Sequence, residues 1–417
     1  DVRDKGKAAV STTGEGNVSI ELNGGSTLRS GYEHAGLEKN NGGSLTIADE
    51  DKNGKLTARG GQQGAGIGGG SGKDGSNIFI TGGGVNAIGG LAAAGIGGGL
   101  GGNGSNITIS GGKVGATNGL NGAGIGGGQH GSGSNITISG GEVNAIGGDS
   151  SAGIGGGRNG SGEKLYFYSG KIEAKGGEAA SGIGGSFKGR GRDIYIYGGD
   201  ISATGGTAGA GIGGGCWTSE QDMDGDTAAY NINIYGGKIN AHGGYNGAGI
   251  GGGQYVPARD ITITGGEITA HGTHGAAIGG GRWCHGQNIT VTDAKLKLTT
   301  GYSRYISDEA AAMGYGDRVY LEKVYDIDVG KRYIGDLVRN PLPEDYKSIK
   351  IGSYHGKLVK LKVEAQAINR NDDFTFFWNL YDILIPNENG RIDVQLLTLP
   401  YVKNYGWAIN AMELELI

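Results

Sequence analysis

The phrase Ala-Gly-Ile-Gly-Gly-Gly returns along the chain at almost constant spacing, and this repeat limits what the chain can fold into. With close variants included, its isoleucines are Ile67, Ile96, Ile125, Ile154, Ile183, Ile212, Ile250 and Ile278. Successive spacings are 29, 29, 29, 29, 29, 38 and 28 residues, so the period holds for five steps, accepts one insertion and resumes. A period between about 20 and 50 residues is typical of stacked-repeat architectures.

Each repeat contains three short strand-like pieces. In one copy they are residues 106–110 (NITIS), 113–116 (KVGA) and 123–128 (AGIGGG). A period of two places these residues on the inward face: Ile107, Ile109, Val114, Ala116, Ala123 and Ile125. Three strands joined by glycine-rich corners make one coil, and stacked coils bury their inward residues together. The sequence therefore predicts an all-β fold, a parallel β-helix of about ten coils with three strands in each.

The composition changes near both ends of the repeat. Residues 1–60 lack the full phrase, and we expect irregular β structure there that leads into the glycine-rich helix of residues 61–317. Residues 318–417 hold six of the 96 glycines but four of the five prolines. We expect this last segment to be β-rich, either as a cap on the open end of the solenoid or as a small sandwich.

Two sets of positions have structural explanations. In successive coils the first strand opens with Asn77, Asn106, Asn135, Lys164, Asp193, Asn231, Asp260 and Asn288. Stacked side-chain amides can hydrogen-bond along such a column. The glycines of the third strand, such as Gly66, Gly68 and Gly70, have two interpretations. They leave a bare outer face that another surface can approach, or they adopt backbone angles that only glycine tolerates.

Charge and hydropathy exclude several function classes. The formal net charge is −5, and no basic run could follow a phosphate backbone, so nucleic acid is not an expected partner. No stretch approaches the roughly 18 to 20 apolar residues of a membrane helix, and no signal peptide begins at Asp1. We expect no membrane insertion, and a mature or excised piece of a longer protein with flanking domains. Cys216 and Cys284 can pair only if their Cα atoms lie within about 7 Å.

Function on a repetitive scaffold should lie where the copies differ. The first departure is an aromatic surface on the first strand, where the other coils carry mostly threonine or serine. It consists of Tyr166, Tyr168, Tyr195, Tyr197 and Tyr235, over three coils and roughly 10 Å of height. Tyrosine suits stacking on sugar rings or packing in a protein interface. Alternatively, the C-terminal segment or a flanking domain covers these rings.

The second departure follows the glycine triplet in the later coils. Early copies continue with Ser71, Leu100, Gln129 and Arg158, whereas later copies continue with Cys216-Trp217, Gln254-Tyr255 and Arg282-Trp283-Cys284-His285. Aromatic and polar side chains should therefore accumulate at one edge. A sugar-binding cleft requires such a set. The alternative is loop anchoring without a ligand.

The third departure is the insertion that lengthens one spacing to 38 residues and begins directly after Trp217. It contains Asp222, Asp224 and Asp226, which could act as general acid and base or as nucleophile in glycoside hydrolysis. Alternating acids could equally bind calcium, or they form a solvated loop. No other cofactor is expected. Asp308, Glu309 and Asp317, in the last coil, are the other acids that could face the insertion.

Two weaker features resemble metal sites. Residues 49–54 (DEDKNG) match the start of a calcium loop, but Gly60 stands where the bidentate glutamate should be, which favours a turn. His242 and His271 occupy equivalent positions, as do Tyr245 and His274. Stacked histidines can bind a metal or titrate near neutrality, or they form an ordinary surface ladder.

The three-strand coil resembles the pectin-lyase-like superfamily of right-handed parallel β-helices. The Ala-Gly-Ile-Gly-Gly-Gly copies with Ser-Asn-Ile-Thr-Ile between them look like the glycine-rich repeats of large surface proteins of Gram-positive anaerobes. The resemblance covers about residues 64–317 and implies the architecture. It implies no particular chemistry, because that superfamily includes lyases, hydrolases, transferases and adhesins, and no catalytic residue carries over from it.

We therefore expect a secreted or cell-surface bacterial protein that engages a glycan, as a glycoside hydrolase acting on a complex polysaccharide or host glycan. In this hypothesis Trp217, Tyr255 and Trp283 stack on sugar and Gln254, Arg282 and His285 bind hydroxyls or charge. One or two of Asp222, Asp224 and Asp226 perform the acid–base chemistry. The alternative is a non-catalytic adhesin, or a carbohydrate-binding or structural module, that uses the tyrosines. A polysaccharide lyase fits less well, because no arginine is arranged with calcium-binding acids.

Overall fold

The chain forms a parallel β-solenoid of about ten coils with three sheets. A computed structural model describes residues 1–217, 228–301, 313–314, 328–329, 332–333, 350–355, 359–369, 374–384, 391–394 and 405–416. A single 3-10 turn, Arg3–Lys5, precedes the first strand. None of the helical structure in these ranges is long and apolar enough to cross a membrane.

Three sheets, which we name A, B and C, run the length of the solenoid. Within the described ranges, sheet A consists of Val10–Thr12, Leu37–Lys39, Ile67–Gly68, Ile96–Gly97, Ile125–Gly126, Ile154–Gly155, Ile183–Gly184, Ile212–Gly213, Ile250–Gly251, Ile278–Gly279 and Met313–Gly314. Sheet B consists of Val18–Glu21, Leu45–Ala48, Gly75–Ile80, Gly104–Ile109, Gly133–Ile138, Gly162–Phe167, Gly191–Ile196, Ala229–Ile234, Ala258–Ile263, Gly286–Val291, Lys350–His355 and Arg391–Val394.

Sheet C ends in the three longest strands. Its members, in spatial order, are Gly25–Arg29, Lys55–Arg59, Gly84–Ile88, Lys113–Thr117, Glu142–Ile146, Lys171–Lys175, Asp200–Thr204, Lys238–His242, Glu267–Gly272, Lys295–Thr300, Tyr405–Leu416, Val359–Asn369 and Phe374–Leu384. Asp328–Val329 and Arg332–Tyr333 form a separate antiparallel pair.

The register of the sheets stacks each repeat residue on its counterpart in the next coil. Ile96 pairs with Ile125, and Ile107 pairs with Ile136. The six residues predicted to point inward, Ile107, Ile109, Val114, Ala116, Ala123 and Ile125, are all at most 1% exposed. The predicted all-β solenoid and its inward face are confirmed. Columns of aliphatic residues from the three sheets fill the core, where each fully buried large side chain contributes about 1.5–3 kcal/mol.

The Ala-Gly-Ile-Gly-Gly-Gly phrase forms a loop that places its isoleucine in the core. In one copy the amide of Ala123 donates to the carbonyl of Gly127 (2.9 Å) and closes the loop around Ile125. The same bond recurs from Ala94 to Gly98 and from Ala152 to Gly156. Only two residues of the phrase therefore remain in strand geometry.

The bare outer glycine face does not exist, because Gly66, Gly68 and Gly70 are buried. Gly68 has a φ of 135°, a backbone conformation that side chains disfavour, and a Cβ on it would overlap the carbonyl of Gly97 in the next coil. The interpretation by backbone angles is therefore right for Gly68. The surface that approaches these glycines is the chain's own neighbouring coil.

The predicted asparagine column is present and stabilises a bulge at the start of each sheet B strand. All eight residues of the column are left-handed, with φ between 51° (Asn288) and 56° (Asn77). The Asn106 Nδ2 group donates to Asn77 Oδ1 (3.0 Å), and Asn135 Nδ2 donates to Asn106 Oδ1 (2.6 Å). Asparagine is among the few residues that adopt this conformation readily, so the column combines a favoured backbone with a side-chain ladder.

A column of alternating charge follows the outer face of sheet C. The register stacks Lys113, Glu142, Lys171, Asp200, Lys238, Glu267 and Lys295 in successive coils. Lys113 Nζ lies 3.1 Å from Glu142 Oε1, and Lys295 Nζ lies 3.6 Å from Glu267 Oε1. Each charge from Glu142 to Glu267 thus has opposite charges above and below it, while Lys113 has Gly84 on its other side.

Both ends of the chain join this stack. Val10–Thr12, Val18–Glu21 and Gly25–Arg29 pair in parallel with the next strand of their sheets, so the first 60 residues already form coils. At the other end Tyr405–Leu416 pairs antiparallel with Lys295–Thr300, and Val359–Asn369 and Phe374–Leu384 continue the antiparallel order. The C-terminal segment is β-rich as expected. The domain boundaries at 60 and 317 stay a prediction.

Candidate functional site

The loops after the glycine triplets place the predicted aromatic residues in one column. The second residue after each triplet is Gly72, Gly101, His130, Asn159, Lys188, Trp217, Tyr255 and Trp283 in successive coils. The Trp217 amide donates to the Gln254 carbonyl (3.0 Å), and the Tyr255 amide donates to the Arg282 carbonyl (3.2 Å). The structure therefore brings together the loops that carry five of the six residues predicted to bind substrate. We call Trp217, Gln254, Tyr255, Arg282 and Trp283 the aromatic edge.

The backbone at this column favours glycine. Gly72 and Gly101 have φ of 68° and 75°, while Tyr255 and Trp283 have φ of 59° and 67°. A left-handed conformation costs a residue with a Cβ roughly 1–2 kcal/mol, and a bulky aromatic residue there is an outlier. Two neighbouring coils therefore carry large rings at a left-handed position that earlier coils fill with glycine or with His130, Asn159 and Lys188.

The two rings stack, and an arginine lies against them. The ring centroids of Tyr255 and Trp283 are 4.5 Å apart with planes 10° from parallel. The guanidinium carbon of Arg282 lies 4.3 Å from the centroid of the Trp283 ring. Stacking and cation–π contacts of this kind each contribute about 0.5–1.5 kcal/mol beyond burial. Both rings are half-buried, so part of each remains accessible.

A polar network that the sequence did not reveal holds the edge together. Asn246 Nδ2 donates to Gln254 Oε1 (3.0 Å), and Arg282 Nη1 donates to Asn246 Oδ1 (3.2 Å). The Arg282 amide also donates to the Asn246 carbonyl (2.9 Å). Asn246 thus links the loop before Ile250 to the loops after Ile250 and after Ile278. Its position between Tyr245 and Gly247 carried no signal, because the contact joins residues far apart in sequence.

Tyr245 and His274 extend the aromatic edge, whereas His285 lies outside its ring stack. Tyr245 is 55% exposed and meets His274 edge to face, with centroids 4.3 Å apart. His285 is exposed at the start of the next sheet B strand, and its carbonyl accepts the Ala258 amide (3.0 Å). The structure therefore places His285 beside the edge rather than within the ring stack. Trp217 is half-buried, and its indole nitrogen is buried with no hydrogen-bond partner among the described residues.

The predicted catalytic residues Asp222, Asp224 and Asp226 lie outside the described residues, as do Asp308, Glu309 and Asp317. Their roles, including calcium binding, stay predictions. Within the described ranges no group of three or more histidine, cysteine, aspartate or glutamate residues is placed to hold a metal ion. At the first calcium-like loop the Asp49 carboxylate accepts the amides of Asn53 (3.2 Å) and Gly54 (3.0 Å), which is the geometry of a turn.

A second surface, the tyrosine face, lies on the outer side of sheet B. The rings of Tyr168 and Tyr197 stack with centroids 4.8 Å apart, and those of Tyr197 and Tyr235 stack at 5.0 Å. Tyr166 and Tyr195 form a parallel stack at 5.3 Å. Tyr168, Tyr197 and Tyr235 remain 48%, 43% and 43% exposed. The described residues therefore leave this face accessible.

Tyr230 extends the tyrosine face, and sequence reasoning missed it. Its hydroxyl accepts from Arg192 Nη1 (2.8 Å), and the guanidinium carbon of Arg259 lies 4.9 Å from its ring centroid. The hydrogen bond that Arg192 donates to the Glu163 carboxylate raises the pKa of Arg192 above its ordinary value. The residue before each left-handed asparagine forms a third outward column, and aligning that column would have revealed Tyr230.

The environments of Tyr166, Cys216 and His271 also shift the pKa values of these groups. Burial, followed by the Tyr195 hydroxyl, raises the pKa of Tyr166, so this phenol stays protonated well above neutral pH. Burial, followed by Glu178, raises the pKa of the Cys216 thiol to about 11. Burial and the neighbouring His242 lower the pKa of His271, whose Nδ1 lies 2.8 Å from Thr299 Oγ1. Cys216 and Cys284, both described and both buried, are not joined by a disulfide.

The stacked coils and their side-chain edge define a parallel β-helix protein. A family model described as a β-helix repeat matches residues 52–71, 107–129, 136–158, 168–187, 194–216, 232–254 and 261–282. Seven segments of the chain therefore match the β-helix repeat, and its right-handed-type solenoid is consistent with the pectin-lyase-like fold. Searches with the chain found no match among curated proteins and none among solved structures.

Proposed function

We propose that the protein is a secreted or cell-surface β-helix that binds a glycan at the aromatic edge. The observation that carries the proposal is the placement of Tyr255 and Trp283 at left-handed positions where earlier coils have Gly72 and Gly101. Strained conformations are found most often at functional sites, because elsewhere a residue without strain serves the fold as well. Glycine at these two positions would serve the fold here.

The chemistry of the edge suits a sugar. A tyrosine or tryptophan ring packs against the apolar face of a pyranose, and a few fixed donors and acceptors then select its hydroxyl groups. Gln254, Asn246 and Arg282 form a hydrogen-bonded network directly beside the rings. Because that network holds the three side chains in place before a ligand arrives, the entropy cost of binding is reduced.

Glycoside hydrolysis is the second candidate, and the position of the insertion favours it. Trp217 and Ala228 flank the acidic residues 218–227 in sequence, and both belong to the coil next to that of Tyr255. Two of its carboxylates separated by about 5–5.5 Å would give a retaining enzyme, and by about 6.5–9.5 Å an inverting one. In the non-catalytic alternative, an adhesin, the same edge or the tyrosine face holds the glycan without cleaving it.

The test is a glycan panel with product analysis. Wild type should bind a subset of host or plant glycans, and Tyr255→Gly and Trp283→Gly should each weaken that binding at least about tenfold, the loss expected for one stacking contact. His130→Gly and Asn159→Gly are matched controls, because they make the same change at left-handed positions of the same column. Equal affinities in all four variants would show that the edge is not the binding site.

The same panel separates the two candidates. If hydrolysis occurs, at least one of Asp222→Asn, Asp224→Asn and Asp226→Asn should abolish product formation while glycan binding persists. Cleavage that survives in every variant rules out these acids as the catalytic groups. Binding without any product from wild type favours the adhesin.

A further inference from the structure

A groove at the other end of the solenoid has a lining unlike that of the aromatic edge. It lies at the corner between sheets B and C and has a volume of about 670 Å³, within the range of about 300–1,000 Å³ of small-ligand sites. One wall is the turn of residues 81–84, and the other is the loop of residues 49–55 from the preceding coil.

The groove exists because that loop is longer than its counterparts. Six residues connect Leu45–Ala48 to Lys55–Arg59, whereas three connect Gly75–Ile80 to Gly84–Ile88. The Asp49 carboxylate holds the longer loop by accepting the amides of Asn53 and Gly54. Asn53 Oδ1 also accepts the amide of Gly24 in the first coil (3.2 Å), so the loop is tied at two points.

Its ionisable lining is cationic. Lys52, Lys55 and Lys113 line the groove, and Asp49 is the acid among its lining residues. Both oxygens of Asp49 already accept backbone amides, and the partner of Lys113 is Glu142, an exposed pair that contributes little. Three lysines thus outnumber one aspartate among the side chains that line the groove, whereas Glu50 and Asp51 of the same loop are not lining residues.

The floor adds neutral donors. Gly82 and Gly83 line the groove, Gly83 has a φ of 83°, and neither amide donates a hydrogen bond within the described part of the chain. Successive backbone amides around a left-handed residue form a concavity that binds anions. Glycine also leaves these two positions of the lining without side chains.

We propose that this groove binds a tetrahedral oxyanion, the sulfate or phosphate ester group of an anionic glycan. Lysine ammonium groups bind as point charges from several directions, which suits a tetrahedral oxyanion, whereas a planar carboxylate is better matched by arginine. That a glycan carries this oxyanion depends on the proposed function. The anion site itself does not, because it lies several coils from the aromatic edge.

The experiment compares two triple variants of the full chain. One carries Lys52→Gln, Lys55→Gln and Lys113→Gln, and its matched control carries Lys171→Gln, Lys175→Gln and Lys238→Gln from the same sheet in later coils. Both variants lose three positive charges. Affinities for dextran sulfate, polyphosphate and neutral dextran are measured at low salt, and circular dichroism verifies the fold of each variant.

Wild type should bind at least one of the two polyanions and not neutral dextran, with an affinity that falls as salt rises. The polyanion affinity of the groove variant should fall about tenfold or more, and that of the control variant less than about threefold. Preference for dextran sulfate or for polyphosphate identifies the ester. Equal losses in both variants, no binding of either polyanion by wild type, or equal binding of neutral dextran would overturn the proposal. Because polyphosphate is not a glycan, a failed glycan panel at the aromatic edge leaves this result interpretable.

Discussion

Replacing Tyr255 by glycine and by alanine separates a structural role of its ring from a functional one. Both changes remove the stack on Trp283, which contributes about 0.5–1.5 kcal/mol, together with the half-buried surface of the phenol. Alanine keeps the cost of a left-handed backbone at φ 59°, about 1–2 kcal/mol, whereas glycine removes it. The larger conformational entropy of glycine in the unfolded chain offsets part of this gain, by about 0.5–1 kcal/mol.

The free energy of unfolding of Tyr255→Gly should therefore exceed that of Tyr255→Ala by about 0.5–1 kcal/mol, measured by urea denaturation. Tyr195 is the control, because it lies within the strand Gly191–Ile196, where glycine should be the less stable substitution by about 0.5–1 kcal/mol. The sign of the difference should thus reverse between the two tyrosines. If alanine is as stable as glycine at 255, the backbone there is not strained and the main argument for a binding edge fails.

Combining Tyr255→Gly with Trp283→Gly tests the stack itself. The two single variants each remove the same ring contact, so the double variant should lose less than their sum, by a coupling energy of about 0.5–1.5 kcal/mol. A coupling near zero would mean that the rings do not stack in solution. Glycan affinity should fall in both single variants regardless of their stability.

The remaining predictions concern the scaffold and its ionisable groups. Gly126→Ala should destabilise by about 3 kcal/mol, because its φ is 136° and an added Cβ would overlap the Gly155 carbonyl. Gly115→Ala should instead stabilise by up to about 1 kcal/mol, because Gly115 lies within the strand Lys113–Thr117 and the nearest atom is the Asn86 amide oxygen at 3.4 Å; urea midpoints would show both effects. Because the pKa of His271 lies below its ordinary 6.5, the unfolded chain takes up the proton first, and stability present above pH 6.5 is lost on acidification. His271→Asn should reduce the fall in melting temperature between about pH 7.5 and 5.5, and an unchanged fall would contradict this. With a pKa of about 11, Cys216 should be about 0.1% thiolate at pH 8 and resist iodoacetamide until urea unfolds the chain; rapid native labelling of Cys216, located by peptide mapping, would refute its burial.

The fold could be predicted from the sequence because each coil repeats the same residue pattern. Ile107, Ile109 and Val114 alternate with polar residues, and the left-handed asparagine recurs at one position, so stacking in register satisfies every copy at once. The glycine phrase was harder to interpret. Ala123 and Ile125 alternate with glycine as in a strand, but the hydrogen bond from the Ala123 amide to the Gly127 carbonyl closes a loop. Sequence periodicity does not reveal a contact of that kind.

For the site, the columns could be predicted but their partners could not. Counting from the triplet predicted that Tyr255 and Trp283 would be neighbours. Asn246 belongs to the preceding loop, and its link to Arg282 depends on how two loops from adjacent coils meet. Irregular loops have no period, so their contacts do not follow from spacing. The insertion after Trp217 presents the same difficulty, since nothing in a repeat determines the course of a segment that departs from it.

The alternating charges on sheet C give the solenoid a repeat unit of two coils rather than one. Loss of a single coil would bring two residues of like sign into contact, for example Lys113 and Lys171, whereas loss of a pair of coils restores an opposite neighbour. Like charges directly opposite each other destabilise a sheet. Shortened or lengthened versions of this chain should therefore tolerate changes of two coils better than changes of one, and an evolutionary history of duplication in pairs would leave the same pattern.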